Sequence, residues 1–443
     1  MNSMSRKREI EKKLKTINAE IGDVIRVICG KEEYEGVLMP HHEFSQENII
    51  TIKLKTGYNI GIAVDEKTEI TLIQKQKTME KPVKKIPFDP KKPTISIIGM
   101  GGTIACYVDY RTGAVHPASS AEELAFSVPE IFDLCNVRSQ VAYQMLSENI
   151  EVTQWQRLAT LIAEELNNGV TGVVIPHGTD TLGYTAAALS FFLKNLSGPV
   201  VLFGAQRSSD RPSSDAAQNL IAAVTVAATS DLGEVVVVMH GEISDAFSTI
   251  HRGTKVRKFH TSRRDAFQSV NDVPLGRVEN GKLSLQTSYK KKTTGPVIVD
   301  SAMDQDVGIV YFYPGLKPED IPQKKGVILA GTGLGHVSAK LLPCITSRIN
   351  NGSVFVMTSQ CLFGRVNMYV YSVGRDLIKA GVFSGEDMLP ETAYIKLMWV
   401  LAHKKTRQEV ESLMRENLAG EISERTRTDA FLSMRNETTQ SEC

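Results

Sequence analysis

Two polar turns follow predicted buried strands, and each turn carries a threonine. The strand TISIIG (94–99) leads into GGTIA (101–105), whose glycines let backbone N–H groups approach a ligand and leave the hydroxyl of Thr103 available. A dinucleotide loop would need a glycine where Ile104 stands, so the G-x-G-x-x-G spacing fails. This turn therefore favours a hydroxyl nucleophile over a nucleotide phosphate site.

The second turn reads PHGTDTL (176–182) and follows the predicted strand GVVIP. Gly178 permits a sharp bend, and Thr179 and Asp180 come just before a helix whose N-terminus favours an anion. Capping of that helix is the bland alternative for both residues. His177 has no histidine partner at helical spacing, so support of the turn is favoured over metal binding.

A third polar segment, HRGTKVRKFHTSRRDAF (251–267), contains Lys258 and could simply be a solvated basic loop. Taken with the two turns, it would add a lysine to a hydroxyl nucleophile and to a second threonine beside an acid. A threonine hydroxyl is a poor nucleophile until a base takes its proton, and a lysine can serve as that base. No G-x-S-x-G, H-E-x-x-H or Walker A pattern offers a different chemistry, and no metal site is predicted.

The elements around these turns alternate between strand and helix from residue 94 onwards. Strands are predicted at 172–176, 199–204 and 234–240, and helices at 119–128, 181–195 and 215–229. A further helix is predicted to begin at a capping box formed by Thr153 and Gln156 and to end at Gly169. Apolar strands that alternate with helices predict a parallel, doubly wound sheet covered on both faces. Ligands of such sheets bind at the carboxyl ends of the strands, where both threonine turns lie.

The first 74 residues follow a different pattern. After a short charged helix over residues 1–20, runs rich in Val and Ile at 24–28, 34–39, 48–54 and 59–64 predict a small all-β barrel domain over residues 1–74. Residues 75–93 contain seven lysines and four prolines, which predicts an extended linker.

The rest of the chain divides into two α/β units. We predict a large α/β domain with the active site at 94–290, a crossover at 291–306, a small α/β domain at 307–410 and a helical tail at 411–443. The two α/β units are called the large lobe and the small lobe below.

Charge and cysteine content limit the possible partners and compartments. The formal net charge is +1, with 18 Lys and Arg against 14 Asp and Glu in residues 1–93 and 33 against 36 in the remainder. A nearly neutral chain has too little positive charge to hold a nucleic acid alone. Six cysteines without a C-x-x-C pair, a charged N-terminus and no apolar window of membrane length predict a cytoplasmic protein.

GGTIA and HGTDTL together resemble the two signature segments of the bacterial-type L-asparaginase family. Other segments match in order: Tyr110 resembles the mobile-loop tyrosine, Ser147 and Glu148 the substrate-carboxylate loop, GAQR (204–207) the third segment, and Lys258 the family lysine. The small lobe is similar to the cytoplasmic type I branch. GTGLGH (331–336) departs from the periplasmic pattern, because Leu334 stands where that branch carries a site asparagine.

This resemblance implies that Thr103 attacks a side-chain carboxamide and releases ammonia. Thr179, Asp180 and Lys258 would form a second hydrogen-bonded set, with Tyr110 closing over the site. Asp180 and Glu148 would hold the substrate α-ammonium and Ser147 its α-carboxylate, beside the glycines Gly102 and Gly178. Which residue is the general base stays open.

Both ends of the chain resemble the D-subunit family of archaeal glutamyl-tRNA(Gln) amidotransferases, through IGDVIRVICGKEEYEGVLMP, the Lys-Pro linker and the tail MRENLAGEISER. The resemblance implies a homodimer that joins an E subunit, in a heterotetramer, and hydrolyses glutamine or asparagine. The partner would use the ammonia with ATP and Mg²⁺ to convert Glu-tRNA(Gln) to Gln-tRNA(Gln), so no cofactor is expected in this chain.

Two other hypotheses stay open. One is a stand-alone cytoplasmic type I L-asparaginase with a fused β-domain, and the other is a non-enzymatic protein with purely structural threonine turns. The choice between glutamine and asparagine, the ammonia route and the role of the β-domain are not decided by the sequence.

Overall fold

The computed structural model describes residues 10, 12–39, 48–54, 59–75, 87–100, 106–108, 115–117, 125, 128–207, 214–286 and 288–431. Gly102, Thr103 and Tyr110 lie outside these ranges, as does most of the helix predicted at 119–128.

The N-terminal domain is a five-stranded antiparallel sheet, which confirms the predicted β-rich domain. In spatial order its strands are Asn59–Ala63, Ile49–Leu54, Glu32–Leu38, Val24–Cys29 and Glu69–Gln74. Alternate residues of each strand face one side, so Ile25, Val27 and Ile52 are fully buried. Ile10 and the helix over residues 12–16 pack against that face.

The large lobe is built on one eight-stranded sheet. In spatial order its strands are Asn136–Val141, Thr94–Gly99, Gly172–Pro176, Val200–Phe203, Val235–His240, Phe247–Arg252, Gly276–Glu279 and Lys282–Leu285. The first five strands are parallel and the last three antiparallel. The parallel part confirms the predicted α/β fold.

Helices cover both faces of this sheet. Val152–Asn167 and Leu182–Phe192 pack on one face and Ala216–Thr229 on the other. Leu182–Phe192 is apolar around its whole circumference because the small-lobe helix Pro390–His403 covers its outer side. One hydrophobic core therefore runs from the large lobe into the small lobe.

The small lobe is a four-stranded parallel sheet with the order Val307–Tyr311, Gly326–Gly331, Val354–Ser359 and Phe383–Ser384. Its helices are Leu342–Asn350, Ser372–Ala380 and Pro390–His403, with 3₁₀ turns at Pro318–Asp320 and Ala339–Leu341. The large lobe adds a short helix, Ile131–Leu134, and a 3₁₀ turn, Ser147–Asn149. Three two-stranded pairings complete the architecture: Cys106–Val108 with Val115–Pro117, Leu193–Lys194 with Ile298–Val299, and Val256–Lys258 with Phe267–Ser269.

Several helix limits differ from the sequence prediction. The capping box involves Glu151 and Gln154 rather than Thr153 and Gln156, because the helix begins at Val152. The helix predicted to reach residue 195 ends at Phe192, since Leu193–Lys194 pairs as a strand with Ile298–Val299. Residues 276–285, for which no strand was predicted, form a hairpin on the sheet edge.

The helical tail predicted at 411–443 is wrong for residues 416–431, because the helix Arg407–Arg415 ends before them; residues 432–443 lie outside the described residues. The backbone of Gly420 is left-handed, with φ +78, which a continuing helix does not allow. The Glu421 carboxylate accepts hydrogen bonds from the backbone N–H groups of Leu418 and Ala419. Residues 416–431 therefore follow the protein surface without a helix.

No helix in the described ranges has both the length and the apolar character needed to cross a membrane.

A buried ion pair fixes the start of the non-helical stretch 416–431. Lys396 and Glu421 are both fully buried, and the Lys396 Nζ lies 2.6 Å from Glu421 Oε1 and 2.9 Å from the carbonyl oxygen of Met414. Burial lowers the pKa of Lys396, but its carboxylate and carbonyl partners favour the charged form.

We predict that Lys396→Met lowers the free energy of unfolding by about 3–5 kcal/mol, because the Glu421 charge stays buried without its partner. Denaturant unfolding measures this loss. Lys325→Met, which breaks a partly exposed pair with Asp304, is the control and should cost less than about 1 kcal/mol. Equal losses in the two variants would contradict the assignment.

Candidate active site

The turn at the end of the central strand Gly172–Pro176 fits closely against the 3₁₀ turn Ser147–Asn149. A Cβ on Gly178 would lie 2.7 Å from Ser147 Cβ and 2.8 Å from its Oγ, so only glycine fits there. Thr181 Oγ1 donates a 2.7 Å hydrogen bond to the carbonyl oxygen of Ser147. The structure thus brings two predicted site residues, Ser147 and Gly178, into contact.

Thr179 lies at the bottom of this turn and is buried. A Cβ on Gly204 would come within 2.7 Å of Thr179 Cγ2, so the end of the next strand packs directly against the threonine. This packing leaves the Thr179 side chain little freedom to change its rotamer.

Lys258 connects two residues of the turn across 78 and 79 positions of sequence. Its Nζ donates a 2.8 Å hydrogen bond to Thr179 Oγ1 and a 2.9 Å hydrogen bond to Asp180 Oδ1. The lysine side chain is 17% exposed, whereas the Asp180 side chain is 70% exposed. The group therefore has a covered side at Thr179 and an open side at Asp180, from which a small molecule can enter.

This geometry allows two chemical roles for the lysine. As an ammonium it can stabilise negative charge that develops on a neighbouring oxygen. As a neutral amine it can accept the Thr179 hydroxyl proton, because the two heavy atoms are within proton-transfer distance.

The small lobe holds the residues that precede Lys258. Thr392 Oγ1 donates to the carbonyl oxygen of Thr254 at 2.9 Å, and Lys255 Nζ contacts Asp387 Oδ2 at 2.8 Å. One further pair, Arg257 with Glu391, closes to 3.1 Å. The lysine comes from the large lobe, but its pose depends on both lobes.

His177 supports the turn from inside the protein. Its Nδ1 donates to the Gly178 carbonyl oxygen at 2.7 Å, and its Nε2 accepts from Thr185 Oγ1 at 2.9 Å. Thr185 Oγ1 in turn accepts from Trp155 Nε1 at 2.9 Å. Burial lowers the pKa of His177 to about 4, so the imidazole is neutral at pH 7 and this chain of hydrogen bonds fixes its tautomer.

Three residues that support the adjacent turn were missed in the sequence. Asp215 accepts from the backbone N–H groups of Gln206 and Arg207, at 3.0 and 2.9 Å. Asn219 Nδ2 donates to the Gly204 carbonyl oxygen at 3.0 Å, and His240 Nδ1 donates to Asn219 Oδ1 at 2.7 Å. The sequence signals were the stretch RPSSDAAQNL (211–220), which with GAQR resembles the third family segment, and the spacing of Asp215 and Asn219, which places them one turn apart on a helix.

Other predicted site residues are not part of this group. Glu148 is exposed, and among the described residues it forms no hydrogen bond or ion pair with Lys258, Thr179 or Asp180. Leu334 is partly exposed in the small lobe, in the turn after the strand Gly326–Gly331.

The structure describes the strand that leads to the first threonine turn as far as Met100. Its N–H donates to the Pro176 carbonyl oxygen at 3.3 Å, and the strand Thr94–Gly99 runs parallel to Gly172–Pro176. Both strands therefore end at the same edge of the sheet.

Among the described residues, no group of three His, Cys, Asp or Glu side chains could hold a metal ion.

Three protein families match successive parts of the chain. The family described as Asparaginase, N-terminal matches residues 94–291, and the Glutaminase/Asparaginase C-terminal domain matches residues 306–414. The GatD N-terminal domain matches residues 19–73. Together they cover the β-domain and both lobes.

Similar proteins match over almost the whole chain. The glutamyl-tRNA(Gln) amidotransferase D subunit of Pyrococcus furiosus is 51% identical over 436 residues, which cover 96% of this chain and 99% of that protein. The corresponding protein of Thermococcus kodakarensis, also a D subunit, is 49% identical, and the match covers 96% of this chain and 100% of that one.

Two solved L-asparaginases match about three quarters of the chain. The thermostable L-asparaginase from Thermococcus kodakarensis has a TM-score of 0.67 and 31% identity, and the match covers 74% of this chain and 99% of that one. L-asparaginase I from Vibrio cholerae has a TM-score of 0.65 and 31% identity, with 75% and 99% covered.

The low pKa of His177 makes stability depend on pH. The folded state holds this histidine neutral down to about pH 4, whereas an unfolded histidine binds a proton below about pH 6.5. The contribution of His177 to the free energy of unfolding, about 3 kcal/mol, is therefore fully present above pH 6.5 and is lost as the pH falls towards 4.

We predict that His177→Gln, which cannot titrate, makes the free energy of unfolding less steep between pH 6.5 and 4. Denaturant unfolding at several pH values tests this. A variant with the same steepness as the parent chain would show that His177 is protonated in the folded protein.

Proposed function

Because this chain belongs to the family of glutamyl-tRNA(Gln) amidotransferase D subunits, we propose that its asparaginase-type lobes hydrolyse the side-chain amide of glutamine or asparagine to supply ammonia. The family membership makes it a subunit of a multi-subunit enzyme with an amidohydrolase-type unit. The observation that carries the proposed chemistry is the contact of Lys258 with Thr179 and Asp180 at 2.8 and 2.9 Å.

The reaction proceeds in two steps. The Thr103 hydroxyl oxygen attacks the amide carbon and its proton passes to a base, which forms a tetrahedral intermediate with a negatively charged oxygen. The C–N bond then breaks and the nitrogen takes up that proton. Ammonia departs, and the acyl group remains on Thr103 as an ester. Water adds to this ester, the Thr103 oxygen recovers a proton, and the carboxylic acid product is released.

The Thr179, Asp180 and Lys258 group activates the nucleophile or the water. Lys258 is the best-placed base or electrostatic stabiliser, because its Nζ is fixed by two hydrogen bonds and only partly exposed. Asp180, whose side chain is 70% exposed on the open side although Lys258 contacts its Oδ1, would bind the α-ammonium group of the substrate together with Glu148. Ser147, held against Gly178, would bind the α-carboxylate, and Tyr110 would close over the site.

The choice between glutamine and asparagine depends on one methylene group. Such a difference is worth about 1–3 kcal/mol of discrimination in a pocket, so a site of this kind can accept both amides at different rates.

The resemblance to the D subunits supports a proposal for the assembly. We propose that two copies of this chain associate through their lobes and join two E subunits, which bind ATP, Mg²⁺ and most of the Glu-tRNA(Gln). This chain then needs no cofactor of its own. A cytoplasmic location agrees with Cys29, Cys135, Cys344 and Cys361, which are free thiols.

A stand-alone L-asparaginase is the second candidate, and the match of both lobes to solved L-asparaginases favours it. That match leaves about a quarter of this chain uncovered, whereas the D-subunit relatives cover 96% of it. The match of residues 19–73 to the GatD N-terminal domain thus supports the amidotransferase subunit.

The experiment that tests the function measures ammonia release from glutamine and formation of Gln-tRNA(Gln). We expect weak amidase activity from the chain alone and a rise when the E subunit and Glu-tRNA(Gln) are added. Full asparagine turnover that neither addition changes would support the stand-alone asparaginase instead.

Thr103→Ala should abolish ammonia release from glutamine in the complete enzyme, because the attacking oxygen is gone. Transfer from added ammonium to Glu-tRNA(Gln) should continue, since that step belongs to the partner. Loss of both activities in a folded variant would mean that Thr103 also serves the transfer step.

Lys258→Met keeps the length of the side chain but removes its amine. We expect kcat/KM for glutamine to fall by about 100-fold or more, the usual effect of losing a positioned acid–base group. Lys282→Met, at an exposed position in the edge hairpin, is the matched control and should be unchanged. Turnover of the Lys258 variant within twofold of the parent would exclude a catalytic role for this lysine.

A further inference from the structure

Residues 416–431, here called the C-terminal segment, contact the chain immediately before the lysine strand Val256–Lys258 directly, and the residue immediately after it through the ring of Phe363. The segment comes from the far end of the sequence and contributes no residue to the group of Thr179, Asp180 and Lys258. Its contacts fall into two sets, one on each side of Lys258.

The first set precedes the lysine strand and is centred on Lys255. This side chain is 1% exposed, and its Nζ donates to Asp387 Oδ2 at 2.8 Å and to Ser423 Oγ at 3.2 Å. The Ser423 N–H donates to Asp387 Oδ1 at 3.0 Å. One serine of the C-terminal segment thus completes a buried ion pair three residues before Lys258.

Two further hydrogen bonds attach the segment at the same place. Thr254 Oγ1 donates to the Ala419 carbonyl oxygen at 3.0 Å, and Ser423 Oγ donates to the Asn271 carbonyl oxygen at 3.1 Å. Asn271 follows the second strand of the lysine hairpin, Phe267–Ser269, so both strands of the hairpin are tied to the segment.

The second set follows the lysine strand and consists of three aromatic rings. The rings of Phe259 and Phe363 lie 6.2 Å apart, and Phe431 meets Phe363 edge to face at 5.3 Å. Phe259 is the residue next to Lys258, and Phe431 is 70% exposed. Apart from the Phe363 contact, the large apolar surface of Phe431 faces solvent.

We propose that the C-terminal segment positions Lys258 for amide hydrolysis, with Ser423 acting before the lysine strand and Phe431 acting after it. The two hydrogen bonds of the Lys258 Nζ are effective only within a few tenths of an ångström of their present lengths. A strand of three residues cannot hold that position alone. The small lobe holds it through Asp387 and Glu391, and the C-terminal segment adds hydrogen bonds before the strand and a ring contact, through Phe363, after it. Among the described residues, neither Ser423 nor Phe431 forms a hydrogen bond or ring contact with Thr179, Asp180 or Lys258.

This inference rests on the proposed amide hydrolysis and is tested with the full chain in complex with its E subunit. Phe431→Ala and Ser423→Ala are each expected to lower kcat for ammonia release from glutamine by about two- to tenfold, the factor that loss of one such contact corresponds to. KM should change by less than about twofold, because neither side chain is expected to contact substrate.

Two comparison variants separate positioning from general destabilisation. Phe431→Tyr keeps the ring and should restore the parent kcat. Phe88→Ala removes another exposed phenylalanine, which is 75% exposed in the linker, and should leave kcat unchanged.

Parent values of kcat in both Phe431→Ala and Ser423→Ala would overturn the inference, as would a loss confined to KM. A parent enzyme that releases no ammonia from glutamine or asparagine would instead overturn the proposed function itself.

Discussion

The Lys258 ammonium lies between the Thr179 hydroxyl and the Asp180 carboxylate, and this three-residue contact is the constraint that the surrounding structure satisfies. Thr179 and Asp180 belong to a turn at the end of a central strand. Lys258 belongs to a separate hairpin, formed by Val256–Lys258 and Phe267–Ser269, which is not part of that sheet. A distance of 2.8 Å between side chains on two separate elements requires that each element be fixed independently.

Different interactions fix the two elements. The threonine turn is supported from inside by the neutral imidazole of His177, and it fits against Ser147 and Gly204 where glycines permit close approach. The lysine hairpin is held from the small lobe by Asp387, Glu391 and Thr392. The site thus combines a rigid strand end with a hairpin that other parts of the chain hold in place.

The sequence predicted the elements that carry their own local signal. Alternating Val and Ile predicted the strands of the β-domain, and apolar strands followed by helices predicted the parallel sheet. The residue types at Thr179, Asp180 and Lys258 were also found, since the turn chemistry and the family resemblance pointed to them. The structure adds their mutual distances, while their catalytic roles remain predictions, as do the roles of Thr103, Gly102 and Tyr110.

Interactions between distant residues could not be predicted. Asp215, Asn219 and His240 look like ordinary helix and strand residues until the fold brings them together. The path of residues 416–431 is set by the ion pair of Glu421 and Lys396, which are 25 positions apart. The composition of residues 416–431 by itself is typical of a charged helix. The helix limit near 193 differed for the same reason, because the distant strand partner Ile298–Val299 outweighed local propensity.

The buried pair of Lys255 and Asp387 has a consequence for how such a protein can change over generations. Each residue belongs to a different lobe, and each is almost fully buried. If the large lobe were inherited from one ancestor and the small lobe from another, one charge could be left inside the protein without its counterpart, which is strongly unfavourable. Substitutions of Lys255 and Asp387 must therefore occur together, so the two lobes evolve in a coordinated way at this junction.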